Sequence, residues 1–165
     1  MIVLGRAHLR QIADQAEAAY PDECCGLLTG RGDPAGTLRV GEVCPSPNLA
    51  PSGRDRFEVD PALRLDLQRR LRGGPDRVIG LYHSHPDHSA QPSQTDLDMA
   101  WETDLAWLIV CVEAGQAVHV TAHRLVDEGA GFAEIGLRTD DWRAAPRRAP
   151  MAGAGVAAPP SAARR

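Results

Sequence analysis

Apolar residues recur at helical spacing in three segments of the chain, each with a start or stop signal. In the first segment the apolar positions follow the period of an amphipathic helix, and Pro21 ends the pattern. The second begins at Asp60-Pro61, a capping residue followed by proline at the first helical position, and Gly73-Gly74-Pro75 closes it. The third begins at Ser93. The predicted helices are residues 8–20, 61–72 and 93–102.

Runs of β-branched and apolar residues predict strands between and after these helices. Residues 24–30 and 37–44 flank the turn-forming sequence RGDPAG and are typical of a β-hairpin. Five further strands are predicted at residues 56–59, 77–85, 106–113, 116–126 and 132–138. Strands that alternate with helices in this way predict an α/β fold with a mixed or antiparallel sheet flanked by helices.

A chain of 165 residues is long enough for one domain with its own core, so a bound metal would serve function rather than folding. The apolar run before Gly5 is too short for a signal peptide or a membrane span, so we expect a cytoplasmic protein without a membrane partner. Trp101 and Trp107 are predicted to anchor the core or its rim. The cysteines form no Cys-x-x-Cys pair and are predicted to be buried thiols; they are Cys24, Cys25, Cys44 and Cys111.

Charge is distributed unevenly along the chain. Residues 143–165 hold five of the 18 basic residues and no acid, which leaves residues 1–142 with a formal charge of −9. An acidic body argues against nucleic acid as a partner, because phosphate contacts require clustered cations. The end of the chain is poor in large apolar side chains. We therefore predict a folded domain over residues 1–140 and a disordered Ala/Pro/Arg-rich tail over residues 141–165.

The sequence HSHPDHSAQPSQTD (residues 83–96) carries the candidate chemistry. His83 and His85 are two residues apart on a predicted strand, so both imidazoles project from one face, where a single cation could bind both. Zinc is the usual cation for imidazole and carboxylate ligands. Asp96 could supply the third ligand, but Ser93-x-x-Asp96 also matches a helix capping box. The two interpretations are compatible, because the carboxylate can face its own backbone or a metal.

Other polar residues are given less weight. His88 lies inside the motif but outside the strand spacing, so we expect a loop residue or a substrate contact. Ser84 should point to the opposite face of its strand and make a backbone or supporting hydrogen bond. His119 and His123 share a strand face with Thr121, which predicts a solvated face of the sheet.

The register of the motif resembles the signature of the JAMM metallopeptidases, also called MPN-plus domains. The family signature requires an upstream glutamate, and YPDECCGLLTG provides Glu23 in the matching context. The resemblance covers roughly residues 1–137 and implies an MPN (cytidine-deaminase-like) fold. It also implies one zinc ion per chain bound by His83, His85 and Asp96. Glu23 would act as the acid/base, and Ser93 as a hydroxyl donor to the developing oxyanion.

General chemistry supports those roles. Zinc lowers the pKa of bound water from about 15.7 to about 7. A neighbouring carboxylate such as Glu23 can transfer a proton to the leaving amine, an effect typically worth about 10²–10⁴-fold in rate. Removing one oxyanion donor such as the Ser93 hydroxyl commonly costs about 10²–10³-fold.

The resemblance implies hydrolysis of an amide bond after the C-terminal Gly-Gly of a ubiquitin-like or sulfur-carrier protein. Residues without side chains suit a narrow groove beside a metal. The compact chain is most similar to the small prokaryotic members of the family. One alternative is a non-catalytic MPN scaffold that binds a protein partner, and another is metal-dependent hydrolysis of a small molecule. Peptide versus isopeptide specificity and oligomeric state stay open.

Overall fold

A computed structural model describes residues 1–126 and 131–140 as one eight-stranded sheet with three helices. The strands, in chain order, are β1 (Ile2–Gly5), β2 (Cys25–Gly32), β3 (Leu38–Ser46), β4 (Arg77–Pro86), β5 (Ala106–Glu113), β6 (Gln116–Val126), β7 (Gly131–Glu134) and β8 (Leu137–Asp140). The helices are α1 (Arg6–Ala19), α2 (Pro61–Leu71) and α3 (Gln94–Met99). The tail predicted over residues 141–165 lies outside the described residues.

The sheet is mixed, as predicted, with the strand order β7-β6-β5-β4-β2-β3-β1-β8. β4 pairs with β2 in antiparallel fashion and with β5 in parallel fashion. The connection from β4 to β5 therefore crosses over, and it contains the end of the histidine motif and α3. This topology places the motif at the carboxyl end of a central strand, where both neighbouring strands support it.

The two faces of the sheet carry separate cores. Ile12 and Ala16 of α1 pack against one face, together with the buried Tyr82 of β4. Leu67 of α2 packs against the other face, together with Trp107 of β5. This second face also carries His83 and His85. The α/β fold with flanking helices is thus confirmed.

The predicted helices are present, but their lengths differ from the expectation. α1 begins at Arg6 and α2 follows the predicted cap at Asp60, whose carboxylate accepts a hydrogen bond from the Ala62 backbone. α3 ends at Met99, so the prediction that it reaches residue 102 was wrong. The backbone is extended at Ala100, and Trp101 is 88% exposed. If α3 continued to residue 102, the Trp101 side chain would have no core to pack against.

Two strand predictions need correction, and one strand was missed. Residues 56–59 form only an isolated bridge between Asn48 and Val59, because the Asn48 side chain binds the backbone of this segment in place of a neighbouring strand. The single strand predicted at residues 132–138 is two strands, β7 and β8, at opposite edges of the sheet. β1 was not predicted; it pairs in parallel with β3 and β8.

The remaining expectations about the chain concern its cysteines and membranes. All four cysteines are buried free thiols, as predicted. Burial raises the pKa of Cys24 to about 11 and that of Cys25 to about 12, so both are protonated at neutral pH. None of the helices in residues 1–126 has the length and apolar character that a membrane span requires.

Candidate metal centre

β4 presents the two motif histidines side by side at its carboxyl end. His83 is fully buried and His85 is 6% exposed, and their Nε2 atoms lie 3.0 Å apart. The His83 ring stacks on Phe57 with 4.3 Å between ring centroids, and Trp107 meets it edge-on at 6.0 Å. These aromatic contacts fix the plane of the His83 ring. The strand spacing therefore brings both imidazoles to one face, as predicted.

Asp96, in the first turn of α3, brings a buried carboxylate to both imidazoles. Its Oδ1 atom lies 3.1 Å from His83 Nε2, and its Oδ2 atom lies 3.3 Å from His85 Nε2. The predicted capping box is also present: the Ser93 backbone and hydroxyl each donate to Asp96 Oδ2 at 2.7 Å. The Asp96 backbone N–H donates to the Ser93 hydroxyl oxygen at 3.1 Å. One carboxylate thus starts the helix and faces the histidines.

The three donor atoms fit a small divalent cation. In a tetrahedral site with metal–ligand distances near 2.0–2.1 Å, the ligand atoms lie about 3.3 Å apart. The two Nε2 atoms lie 3.0 Å apart, Asp96 Oδ1 lies 3.1 Å from His83 Nε2 and Asp96 Oδ2 lies 3.3 Å from His85 Nε2, and one ligand atom from each residue lies within 4.8 Å of the other two. Metal-binding histidines commonly donate their other ring nitrogen to a carbonyl, and His85 Nδ1 lies 2.9 Å from the Ser89 carbonyl oxygen. The donor set therefore suits a metal such as zinc.

Burial and the shared Asp96 carboxylate shift the pKa values of the two histidines in opposite directions. Burial lowers the pKa of His83 below its ordinary value, against the opposing effect of Asp96. Burial by itself also lowers the pKa of His85, but its contacts with Asp96 and the Ser89 carbonyl raise it overall. Burial by itself raises the pKa of Asp96, and the hydrogen bonds from both histidines lower it well below its ordinary range. Of the two imidazoles, His85 is therefore the more basic in the metal-free protein.

Glu23 precedes β2 and shares a polar cavity of about 390 Å³ with His85, Ser93 and Asp55. Its side chain is buried, at 6% exposed. Burial is the largest influence on its pKa, which is raised to about 8, and the charge of Asp96 contributes in the same direction. A carboxylic acid with such a pKa can release and take up a proton near neutral pH.

Two polar residues hold the Glu23 backbone in place. The Asn48 side-chain amide donates to the Glu23 carbonyl oxygen at 3.1 Å and to the Arg56 carbonyl oxygen at 3.0 Å. The Ser84 hydroxyl accepts from the Cys24 backbone N–H at 2.8 Å. The predicted supporting role of Ser84 is confirmed. The role of Asn48 was missed, although asparagine side chains in loops often hydrogen-bond to backbone groups.

Ser93 is exposed to the polar cavity, but its hydroxyl proton is already bonded to Asp96 Oδ2. To donate to an oxyanion in the cavity, this hydroxyl has to turn away from the carboxylate. His88 is exposed on the same cavity and lies outside the cluster of three donor residues, as expected for a loop residue.

A second, apolar cleft of about 220 Å³ adjoins the histidines through Phe57. Trp107 and Leu105 line its base, and Trp101 lines its rim. Trp107 is a core residue, as predicted, whereas the prediction of an anchoring role for Trp101 was wrong. With 88% of its surface exposed, the Trp101 indole faces solvent beside the cleft and is not part of the core.

The prediction of a solvated face on β6 was correct for His119 and wrong for its two neighbours. His119 is exposed, whereas Thr121 and His123 are 5% and 2% exposed. They are covered by the loop that joins β4 to α3, whose Ala90 carbonyl oxygen accepts a hydrogen bond from the Thr121 hydroxyl. The alternation of polar residues in HVTAH identified the face correctly but did not reveal the loop that lies on it.

Taken together, a mixed α/β sheet positions two imidazoles and a carboxylate for one cation, with a buried glutamate on the cavity that His85 lines. These features define a class of metal-dependent hydrolytic domains. The chain belongs to the prokaryotic homologs of the JAB domain, and the match to that family covers residues 5–126. The resemblance to JAMM metallopeptidases is thereby confirmed.

Individual relatives agree with this assignment. The chain is 31% identical over 120 residues to a desampylase of Haloferax volcanii, which covers 73% of this chain and 80% of the relative. It is 30% identical over 127 residues to a CysO-cysteine peptidase of Mycobacterium tuberculosis, which covers 77% of this chain and 84% of the relative. The crystal structure of a JAB1/MPN domain protein from Archaeoglobus fulgidus superposes with a TM-score of 0.53 at 24% identity, over 84% of this chain and 98% of that one. The MPN fold is therefore confirmed.

Proposed function

We propose that this protein is a zinc-dependent peptidase or isopeptidase that hydrolyses an amide bond after the C-terminal Gly-Gly of a ubiquitin-like or sulfur-carrier protein. The observation that carries the proposal is that His85 of the buried histidine–aspartate cluster lines the same cavity as the buried Glu23. The relatives named as a desampylase and a CysO-cysteine peptidase support a peptidase and a small carrier protein as its substrate.

In this proposal His83, His85 and Asp96 bind one zinc ion. A zinc ion supplies Lewis acidity, which lowers the pKa of bound water from about 15.7 to about 7 and polarises a carbonyl. The buried position of all three side chains supports the assignment, because an ionised aspartate and two imidazoles removed from solvent need a cation or equivalent partners. The stacked Phe57 and the Ser89 carbonyl fix the two rings so that both Nε2 atoms face the same point.

Glu23 is the proposed acid/base. Its carboxyl group is buried beside His85, and burial raises its pKa to about 8 in the absence of a cation. A nearby cation favours the ionised form, so the group could accept a proton from water and return it to the leaving amine. Asn48 and Ser84 hold the peptide unit between Glu23 and Cys24 through its carbonyl and its N–H, which limits the movement of this carboxylate.

Ser93 is proposed to donate its hydroxyl to the oxyanion of the tetrahedral intermediate. Its exposure on the cavity supports this role. The hydroxyl must first give up its hydrogen bond to Asp96 Oδ2. When the hydroxyl turns toward the substrate, Asp96 Oδ2 keeps the Ser93 backbone N–H as a donor at 2.7 Å. The helix cap therefore persists in part while the side chain is used for chemistry.

The carrier tail is proposed to cross between Phe57 and the polar cavity. A Gly-Gly sequence has no side chains to collide with the sheet backbone near the histidines. An apolar side chain that precedes Gly-Gly would fit the cleft formed by Trp101, Leu105 and Trp107. The leaving amine would occupy the polar cavity with Glu23.

The decisive experiment incubates the zinc-loaded protein with a carrier protein ending in Gly-Gly-Cys and with the same carrier linked through Gly-Gly to a lysine side chain. Mass spectrometry of the products shows which bond is cleaved. Glu23→Gln should bind zinc and abolish cleavage, whereas Glu17→Gln, an exposed change on α1, should cleave normally. A protein that binds the carrier without cleaving either substrate would be a scaffold, and a Glu23→Gln variant with wild-type activity would refute the assigned mechanism.

A further inference from the structure

We propose that Thr121 and His123 of β6 are positioning residues that hold the β4–α3 loop (residues 87–93) and, through it, the orientation of His85. The proposal rests on the proposed function, because its consequence is measured at the zinc site. Both residues are buried, two strands away from β4 in the sheet. Neither belongs to the cluster of donor atoms that faces the cation.

The first step of the argument is the contact between β6 and the loop. The Thr121 hydroxyl donates to the carbonyl oxygen of Ala90, and His123 Nε2 lies 2.9 Å from the Thr121 hydroxyl oxygen. Because the Thr121 proton is given to Ala90, its oxygen is free to accept the His123 N–H. His123 Nε2 also lies 3.4 Å from the Ala90 oxygen. Thr121 thus donates directly to the loop carbonyl, and His123 supports it through the Thr121 oxygen.

The second step is the neighbouring carbonyl. Ser89 immediately precedes Ala90, and its carbonyl oxygen lies 2.9 Å from His85 Nδ1. Two consecutive carbonyl groups of the loop therefore connect β6 to the histidine. The two carbonyl groups belong to planar peptide units that meet at Ala90, so when the Ala90 carbonyl and its buried methyl group are both held, only rotation about φ of Ala90 can move the Ser89 carbonyl. His85 is then held with Nε2 toward Asp96.

The third step concerns packing. The Ala90 methyl group is buried against Ile109 and Cys111 of β5. This contact keeps the loop near the sheet but does not define the direction of its carbonyl groups, because apolar contacts are not directional. The Thr121 hydroxyl supplies that direction. Loss of the hydroxyl should therefore leave the loop docked and the ligand histidine poorly oriented.

The experiment compares Thr121→Val, which removes the hydroxyl at nearly constant shape, with Thr121→Ser, which retains it. The dissociation constant for zinc is measured in the full chain by competition with a chromophoric chelator. Changes to partners of metal ligands commonly cost about 10- to 100-fold in metal affinity, so we expect a loss of that size in Thr121→Val. Thr121→Ser should recover most of the wild-type affinity.

A second readout does not depend on zinc. The Ser89 carbonyl protects the His85 Nδ1–H proton from exchange with water, so this proton should give a side-chain NMR signal in the metal-free wild type and in Thr121→Ser. It should broaden or vanish in Thr121→Val. The matched control is Thr29→Val, which removes a threonine hydroxyl of similar burial from β2, away from the loop. It should change neither the zinc affinity nor this signal.

The outcomes are distinguishable. If the wild type binds no zinc, the proposed function fails, and the NMR comparison still decides whether Thr121 orients His85. If Thr121→Val loses thermal stability but retains wild-type zinc affinity and the His85 signal, then Thr121 has only a structural role and the positioning inference is overturned. If Thr29→Val lowers the zinc affinity and weakens the His85 signal as Thr121→Val does, the inference is overturned as well.

Discussion

The Ser84 side chain ties the residue next to Glu23 to the strand that carries the two histidines. The Ser84 hydroxyl oxygen accepts a 2.8 Å hydrogen bond from the backbone N–H of Cys24. The Ser84 backbone N–H donates to the Cys24 carbonyl oxygen at 3.1 Å. Ser84 lies between His83 and His85 but faces the opposite side of β4. The two-residue alternation thus positions the imidazoles on one face, while Ser84 between them binds the neighbouring strand β2 directly after Glu23.

Replacing Ser84 by alanine should separate metal binding from chemistry. The buried Cys24 N–H loses its acceptor, which should lower the free energy of unfolding by about 1–3 kcal/mol. Glu23 should then be held less well, and kcat should fall by about 10- to 100-fold while zinc affinity stays near that of the wild type. The control is Ser89→Ala, an exposed change in the adjacent loop that retains the backbone carbonyl. Equal losses of zinc affinity and kcat in Ser84→Ala would contradict this role.

Zinc affinity should weaken below neutral pH because a proton on His85 competes with the metal. The contacts of His85 with Asp96 and Ser89 raise its pKa above the ordinary value, against burial, which lowers it. We expect the dissociation constant to rise about tenfold per pH unit below that pKa and to level off above it. Calorimetry in buffers of different ionisation enthalpy counts the released proton. His88→Ala should have the wild-type profile, and a flat profile in the wild type between pH 5.5 and 8 would refute the expectation.

The metal-free protein should lose stability as the pH rises, in part because of Glu23. Burial raises the pKa of Glu23 from 4.5 to about 8, so the folded chain holds a proton that the unfolded chain releases. The favourable contribution is complete below pH 4.5 and is lost as the pH passes through about 8. Its full size is at most about 5 kcal/mol.

Glu23→Gln cannot ionise and should escape this loss. Urea unfolding of the metal-free proteins should give similar stabilities near pH 4.5, and a more stable variant at pH 9. The quantity to compare is the difference between variant and wild type, because His85 titrates in both proteins. A difference that does not change with pH would show that Glu23 has an ordinary pKa.

Asp96→Asn should distinguish a metal ligand from a helix cap. The asparagine side-chain oxygen can still accept from the Ser93 backbone, so α3 should form and the unfolding free energy should change little. The amide lacks the charge that a cation requires, and zinc affinity should fall by more than about 100-fold. Circular dichroism and chelator competition test the two effects separately. Asp98→Asn, exposed on the same helix, should change neither; an Asp96→Asn variant with wild-type zinc affinity would remove Asp96 from the ligand set.

Trp101→Ala should weaken substrate binding without affecting the fold. The indole is 88% exposed at the rim of the apolar cleft, so its removal creates no cavity. If the carrier tail uses the cleft, KM should rise several-fold while kcat and the thermal midpoint stay unchanged. Val118→Ala, another exposed apolar residue, on β6, is the control. An unchanged KM would place the tail elsewhere.

Local patterns predicted those parts of the molecule that local interactions decide. The proline after Asp60, the Ser93–Asp96 cap and the alternation of His83 with His85 each act within a few residues, and each is present in the structure. Glu23 is different. Nothing near it in the chain indicates a special role, and only its similarity to a family motif singled it out.

The missed features depend on distant partners. β1 is a strand because β3 and β8 flank it, and such parallel pairings leave no periodic signal in a segment of four residues. His123 has the polar neighbours of an exposed strand face, yet a loop some 30 residues earlier in the chain covers it. The segment around Phe57 is apolar enough for a strand, but the Asn48 side chain hydrogen-bonds to its backbone in place of a neighbouring strand. In each case the deciding contact is long-range.

The helix that carries Asp96 has only six residues. A helix of that length is marginal by itself, because nucleation costs more than one turn of hydrogen bonds returns. Fraying of α3 would therefore carry its carboxylate away from both imidazoles in a single event. In the proposed zinc site, opening of this short helix would therefore limit how long the ion stays bound, and amide hydrogen exchange at Leu97 and Ala100 would measure that opening.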